Sequence, residues 1–185
     1  TLPLHAVTNI RETNAGMNIK VTNYTYGDLK VHLQGKGLLG LGYQKVEDTT
    51  MGATTETKVD VWNTTYFVPS QTTTTTTVGS ETAKSVTTYG FTDHGNKKYF
   101  TYPTTTVDTD YEGNTVTTTR QYHTTLGYQT EEKAVYNNSG TMYKKVEYLN
   151  QVKAGGVYRP QTIISTQKHE DDSSVWSQAR VSGAS

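Results

Sequence analysis

The feature that most constrains this 185-residue chain is what its apolar residues never do. Nowhere do they recur at the three-and-four spacing of an amphipathic helix for the dozen or so residues a helix needs. The one candidate, "SSVWSQARV", is short. Alternation takes its place. "MNIKVTNYTY" sets Met17, Ile19 and Val21 on one side, and "LKVHLQ" sets Leu29, Val31 and Leu33 opposite Lys30, His32 and Gln34. This is the period of a half-buried antiparallel strand. "YGDLK" between them reads as a turn, as do "TTMGAT", "PS" after "TTYFV", and "VGSETAK". The spacing predicts about a dozen strands: an all-β chain folded as an extended, curved antiparallel sheet of consecutive hairpins, with little or no helix.

Composition says what kind of sheet. Thr supplies 37 residues, Val 17 and Tyr 14, types that fit a pleated, half-buried surface. The run Thr72 to Thr77 reads as strand rather than linker, because linkers favour Gly, Ser and Pro. Leu, Ile, Val and Phe total only 33, too few for a thick aliphatic core, while a formal net charge of zero argues against disorder. The expected sheet therefore has much of its area in contact with water. Residues 1–185 read as one β-rich domain or as a fragment of a larger β-shell. Zero net charge without a basic stripe points away from nucleic acid. No apolar run approaches the roughly 18 residues of a membrane span, and no signal peptide is expected. Without Cys there is neither disulfide nor thiolate chemistry.

A weak internal repeat runs through the middle. "FTDHGNKKYFTY", "VDTDYEGNTVTTTRQY" and "VYNNSGTMYKKVEY" each place a polar glycine turn, at Gly95, Gly113 and Gly140, before a strand-like run. The uneven spacing suits hairpins with insertions, since Gly beside Asn or Asp supplies the positive φ of tight turns.

Several motifs carry possible chemistry. "HLQGKGLLGLGY" holds Gly35, Gly37 and Gly40 in G-x-G-x-x-G spacing, with Asp60 twenty residues on. A dinucleotide site also needs a helix opening at the last glycine. The sequence there, rich in Thr and Val and broken by Gly52, offers none. These glycines are expected in or beside strands, with no cofactor. "DTDYEGN" resembles the start of a calcium loop at Asp108, Asp110 and Glu112, but Thr119 stands where a bidentate Glu is needed, so a hairpin turn is expected and no metal. "HEDD", His169 to Asp172, reads as a solvated loop. The histidines His5, His32, His94, His123 and His169 form no metal-ligand spacing, no G-x-S-x-G elbow occurs, and no enzyme is expected. Trp62, Trp176 and the tyrosines leave a second reading: a cell-surface carbohydrate-binding or adhesive module with aromatic platforms.

Three blocks carry a resemblance. "YTYGDLKVHLQGKGLLGLGYQKVEDTTMGATTETKVDVW", "TVDTDYEGNTVTTTRQY" with Tyr111, Gly113, Asn114 and Tyr122, and "VYRPQTIISTQK" resemble the Rhs/YD-repeat family. Within it they are similar to the stretch after the propeller in insecticidal toxin complex B components and SpvB-like proteins. The likeness spans roughly residues 20–168. It implies hairpins that curl into a hollow shell holding a toxic polypeptide, on a secreted or cell-surface bacterial protein. Its partners would be the rest of the shell-forming chain and the enclosed toxin, with self-association through strand edges in an isolated piece. The four prolines follow Leu2, Val68, Tyr102 and Arg159, so the family's Asp-Pro-x-Gly-Arg signature is absent and neither cleavage nor toxic activity is carried over.

Overall fold

The computed structural model describes residues 6–15, 17–33, 37–95, 99–136, 142–154, 157–169 and 177–182. Among them there is strand and turn but no helix, and so no helix long and apolar enough to cross a membrane. Among the described residues twelve antiparallel strands follow one another in sheet order as in sequence, β1 to β12. Contacts gather them into two compact units, Thr1–Val86 and Thr87–Ser185.

The first unit holds β1 (Asn9–Asn14), β2 (Met17–His32), β3 (Gly37–Asp48), β4 (Ala53–Trp62), β5 (Pro69–Val78) and the start of β6 (Glu81–Asp93). The Thr run lies in β5, where β-branched side chains meet across strands. Thr55 and Thr57 of β4 face Thr76 and Thr74, with hydroxyl oxygens 3.4 and 3.2 Å apart.

One expected turn is not there. "YGDLK" lies inside β2, which runs unbroken from Met17 to His32, with Gly27 opposite Tyr43 and Leu29 opposite Leu41. Asp28 between them takes φ 53°, a left-handed conformation that Asp tolerates better than most residues. Opposite it stands Gly42, buried and without a Cβ, where any side chain would collide with that of Asp28. The chain therefore bends within a strand and does not reverse. Pro69, expected to close a strand, instead opens β5.

The second unit holds the rest of β6, then β7 (Tyr99–Thr109), β8 (Thr115–Tyr122), β9 (Gln129–Tyr136), β10 (Met142–Ala154), β11 (Val157–His169) and β12 (Ser177–Ser182). "SQAR", within the one helix candidate, is strand β12. Asn150 repeats the bend of Asp28, with φ 52° inside β10. Ion pairs lace both faces: Arg120 to Glu132 at 2.9 Å on one, and Lys145 to Glu131 and Glu147 at 2.9 and 3.1 Å on the other. The carboxylates raise the affinity of Lys145 for its proton, chiefly through its hydrogen bond to Glu131.

No hydrophobic residue among those described is buried; Thr22 and Thr162 are the buried polar side chains. Ile19, Leu29, Val31, Leu38 and Val61 are exposed. With no apolar core among the described residues, ladder hydrogen bonds and cross-strand pairs hold each unit together.

Candidate functional site: an aromatic pocket beside a repeated turn

The link between β4 and β5, residues 63–68, reads N-T-T-Y-F-V and follows Trp62. The Asn63 N–H donates to the Val68 carbonyl and the Phe67 N–H to the Asn63 carbonyl, both at 2.9 Å. The Asn63 carboxamide oxygen accepts from the Thr65 and Tyr66 amides at 2.9 and 2.8 Å. That bond is the reason for Asn here: its short side chain satisfies two amides that no strand partner reaches.

Sixty residues on, the link between β8 and β9, residues 123–128, reads H-T-T-L-G-Y and follows Tyr122. It is the same turn. The His123 N–H donates to the Tyr128 carbonyl and the Gly127 N–H to the His123 carbonyl, again at 2.9 Å. Nδ1 of His123 accepts from the Thr125 and Leu126 amides at 3.3 and 3.2 Å, so the ring carries its proton on Nε2. Gly127, at φ 73°, takes the left-handed place that Phe67 takes at φ 58°. The sequence signal is an aromatic followed by Asn or His and then Thr-Thr, and glycine spacing does not mark it because the first copy has no glycine.

The strand before each copy behaves alike. β3 pairs with β4 only over Tyr43–Asp48, and β7 with β8 only over Thr105–Thr109. Counting on from the last pairs sets Leu39 across from Trp62 and Tyr102 across from Tyr122. In the second unit the space is filled by rings: Tyr102 lies 4.4 Å from Tyr122, and Phe100 lies 5.4 Å from Tyr102 and 6.4 Å from Tyr122, between centroids. A Cβ on Gly127 would come within 3.1 Å of the Phe100 ring, so glycine there lets the ring in. Burial among these rings raises the Tyr122 phenol pKa.

In the first unit the ring sits on the turn instead. Phe67 packs on His32 with centroids 4.3 Å apart, and nothing lies within 4 Å of where a Cβ on Gly37 would be. A pocket of about 570 Å³ lies beside this pair, lined mainly by Val31, His32, Leu33, Leu39, Trp62 and Phe67, with Lys30, Asn63 and Thr64 at its polar edge. Lys30 is paired with Asp28 at 2.6 Å. The Trp62 indole N–H is buried without a hydrogen-bond partner.

The structure distributes the other sequence-derived residues along the ladder. Gly37 and Gly40 begin β3 with φ 71° and 135°, and no helix opens at Gly40; Gly35 lies outside the described residues. Asp60 in β4 accepts a 2.6 Å bond from the Thr73 hydroxyl. Gly95, at φ 73°, donates its N–H to Asp93 in the β6–β7 link. Tyr111, Gly113 and Asn114 form the β7–β8 turn around Asp110, whose carboxylate accepts the amides of Glu112 and Asn114 and the Asn114 side chain, all at 2.9 Å. Those donors, the Asn114 side chain first, hold the Asp110 carboxyl below its ordinary pKa of 3.8. Asp108 lies within β7. Tyr122 belongs to the ring cluster. Gly140, His5, Trp176 and residues 170–172 lie outside the described residues, and His94 follows β6. Of the two tryptophans, Trp62 forms a pocket wall rather than an open platform.

Fold and site together define an all-β hairpin meander with an aromatic-lined pocket in its first unit. No family model, curated protein or solved structure matches the chain.

Proposed function

We propose that the chain is a non-catalytic structural segment of a bacterial Rhs/YD-repeat or toxin-complex-like protein, adding β-hairpins to a hollow shell that encapsulates a toxic polypeptide. The observation that carries this reading is a ladder of consecutive hairpins with no buried hydrophobic residue among those described. A sheet of this kind supplies wall rather than core. Its Thr and Tyr tolerate water, while Ile19, Leu29, Val31 and Leu38 remain available to an unfolded polypeptide on one side. The partners are the remainder of the shell-forming chain, which would extend the ladder beyond β1 and β12, and the enclosed toxin. Secretion or display on the bacterial surface follows from that role.

Electron microscopy and protease digestion of the full natural gene product test it. A hollow particle with internal density and a protease-resistant inner polypeptide is expected. A solid particle, in which these strands pack on a core of their own chain and protect nothing, refutes the reading. The pocket wall formed by Trp62 keeps a second reading in play, a carbohydrate-binding or adhesive module. Saturable sugar binding, lost in Trp62→Ala, would favour it over the shell.

A further inference from the structure

We infer that the pocket of the first unit binds an aromatic side chain, Phe or Tyr, presented by an extended segment of another polypeptide. The second unit supplies the argument. There the same turn, after the same kind of aromatic residue, has its neighbouring space filled by Phe100 and Tyr102 from the adjacent strand. In the first unit Leu39 lines the pocket beside Trp62. No ring of β3 is among the residues that line it.

The lining agrees with such an occupant. Trp62, Phe67 and His32 offer ring faces and edges, and Val31, Leu33 and Leu39 offer aliphatic contact. Phe67 holds a left-handed φ of 58° where the other copy uses glycine, a strain kept at a turn that borders the pocket. A sugar ring would need several converging polar groups. Lys30 is engaged by Asp28, and the Asn63 oxygen is engaged by its turn amides. What lacks a partner is the buried Trp62 N–H, which a backbone carbonyl arriving with the ring can satisfy after a small rotation of the indole. A volume near 570 Å³ holds a ring together with its flanking backbone. The inference needs only the pocket and does not depend on the shell reading.

The test uses the whole chain carrying Trp176→Phe, so that Trp62 is its only tryptophan. N-acetyl-phenylalaninamide and, separately, methyl glucoside are titrated while Trp62 fluorescence and its indole N–H resonance are followed. Saturation by the phenylalanine amide is expected, with a dissociation constant of roughly 1 mM for a ligand of that size, and a downfield shift of the N–H. Leu39→Tyr, which rebuilds the ring pair of the second unit inside the pocket, should weaken binding at least about tenfold. The Thr65 and Tyr66 amide resonances report whether that variant keeps the turn. No saturation by the amide up to about 50 mM overturns the inference, as does saturation by the glucoside alone. Unchanged amide binding in folded Leu39→Tyr also overturns it. Should that variant not fold, the titration with the pocket intact decides.

Discussion

Replacing Gly42 by Ala should destabilise the chain out of proportion to one methyl group. An ideal Cβ at Gly42 would lie 2.8 Å from Cγ and 2.9 Å from Cβ of Asp28, where ordinary carbon contacts begin near 3.5 Å. Asp28 cannot simply swing aside, because its left-handed φ fixes the direction of its Cβ and its carboxylate is paired with Lys30. Overpacking of this kind costs about 1–3 kcal/mol. Asp28→Gly alone should be nearly neutral. It relieves roughly 1 kcal/mol of left-handed strain, and offsets this with about 0.5–1 kcal/mol of added chain entropy and a surface ion pair contributing about 0–1 kcal/mol. The double variant should then match Asp28→Gly, giving a coupling of about 1–3 kcal/mol between the two sites. Urea denaturation followed by strand circular dichroism measures all four proteins. Additive effects, or a neutral Gly42→Ala, would show that the bend of β2 does not depend on the missing side chain opposite it.

Asn63→Ala and His123→Ala should each cost about 1 kcal/mol, because each strips the acceptor from two turn amides, whereas His123→Asn should restore the second turn. Denaturation midpoints and amide exchange at Thr65, Tyr66, Thr125 and Leu126 check this. The lowered pKa of Asp110 means that its contribution is full above the ordinary value of 3.8 and is lost as pH falls through the lower folded value. Exchange at Glu112 and Asn114 should therefore accelerate only in strong acid, and Asp110→Ala should show fast exchange at every pH. Gly90→Ala should also destabilise, since a Cβ there would meet Thr104 and Tyr102 at 2.8 Å, and urea midpoints read the loss. An isolated chain should self-associate through the outer edges of β1 and β12, and a strictly monomeric sedimentation profile over a wide concentration range would count against the open ladder.

The fold class was legible in the sequence because its causes are local. Alternation at Ile19 and Val21, the β-branched run Thr72 to Thr77, and glycine turns at Gly95 and Gly113 each act within a few residues, and antiparallel hairpins need nothing further to set their order. The bend at Asp28 was not legible. "YGDLK" has the composition of a turn, and only Gly42, fourteen residues on and across the ladder, decides that the strand continues. The candidate site was hidden for the same reason. Gly37 lies in a glycine motif that suggests phosphate binding, Trp62 looks like a surface platform, and Phe67 is an unremarkable turn residue. Trp62 and Phe67 became walls of one pocket where the β3–β4 pairing ends at Tyr43. Sequence determined which residues pair with their neighbours; tertiary structure decided where pairing stops, because that depends on side-chain volumes brought together from different strands.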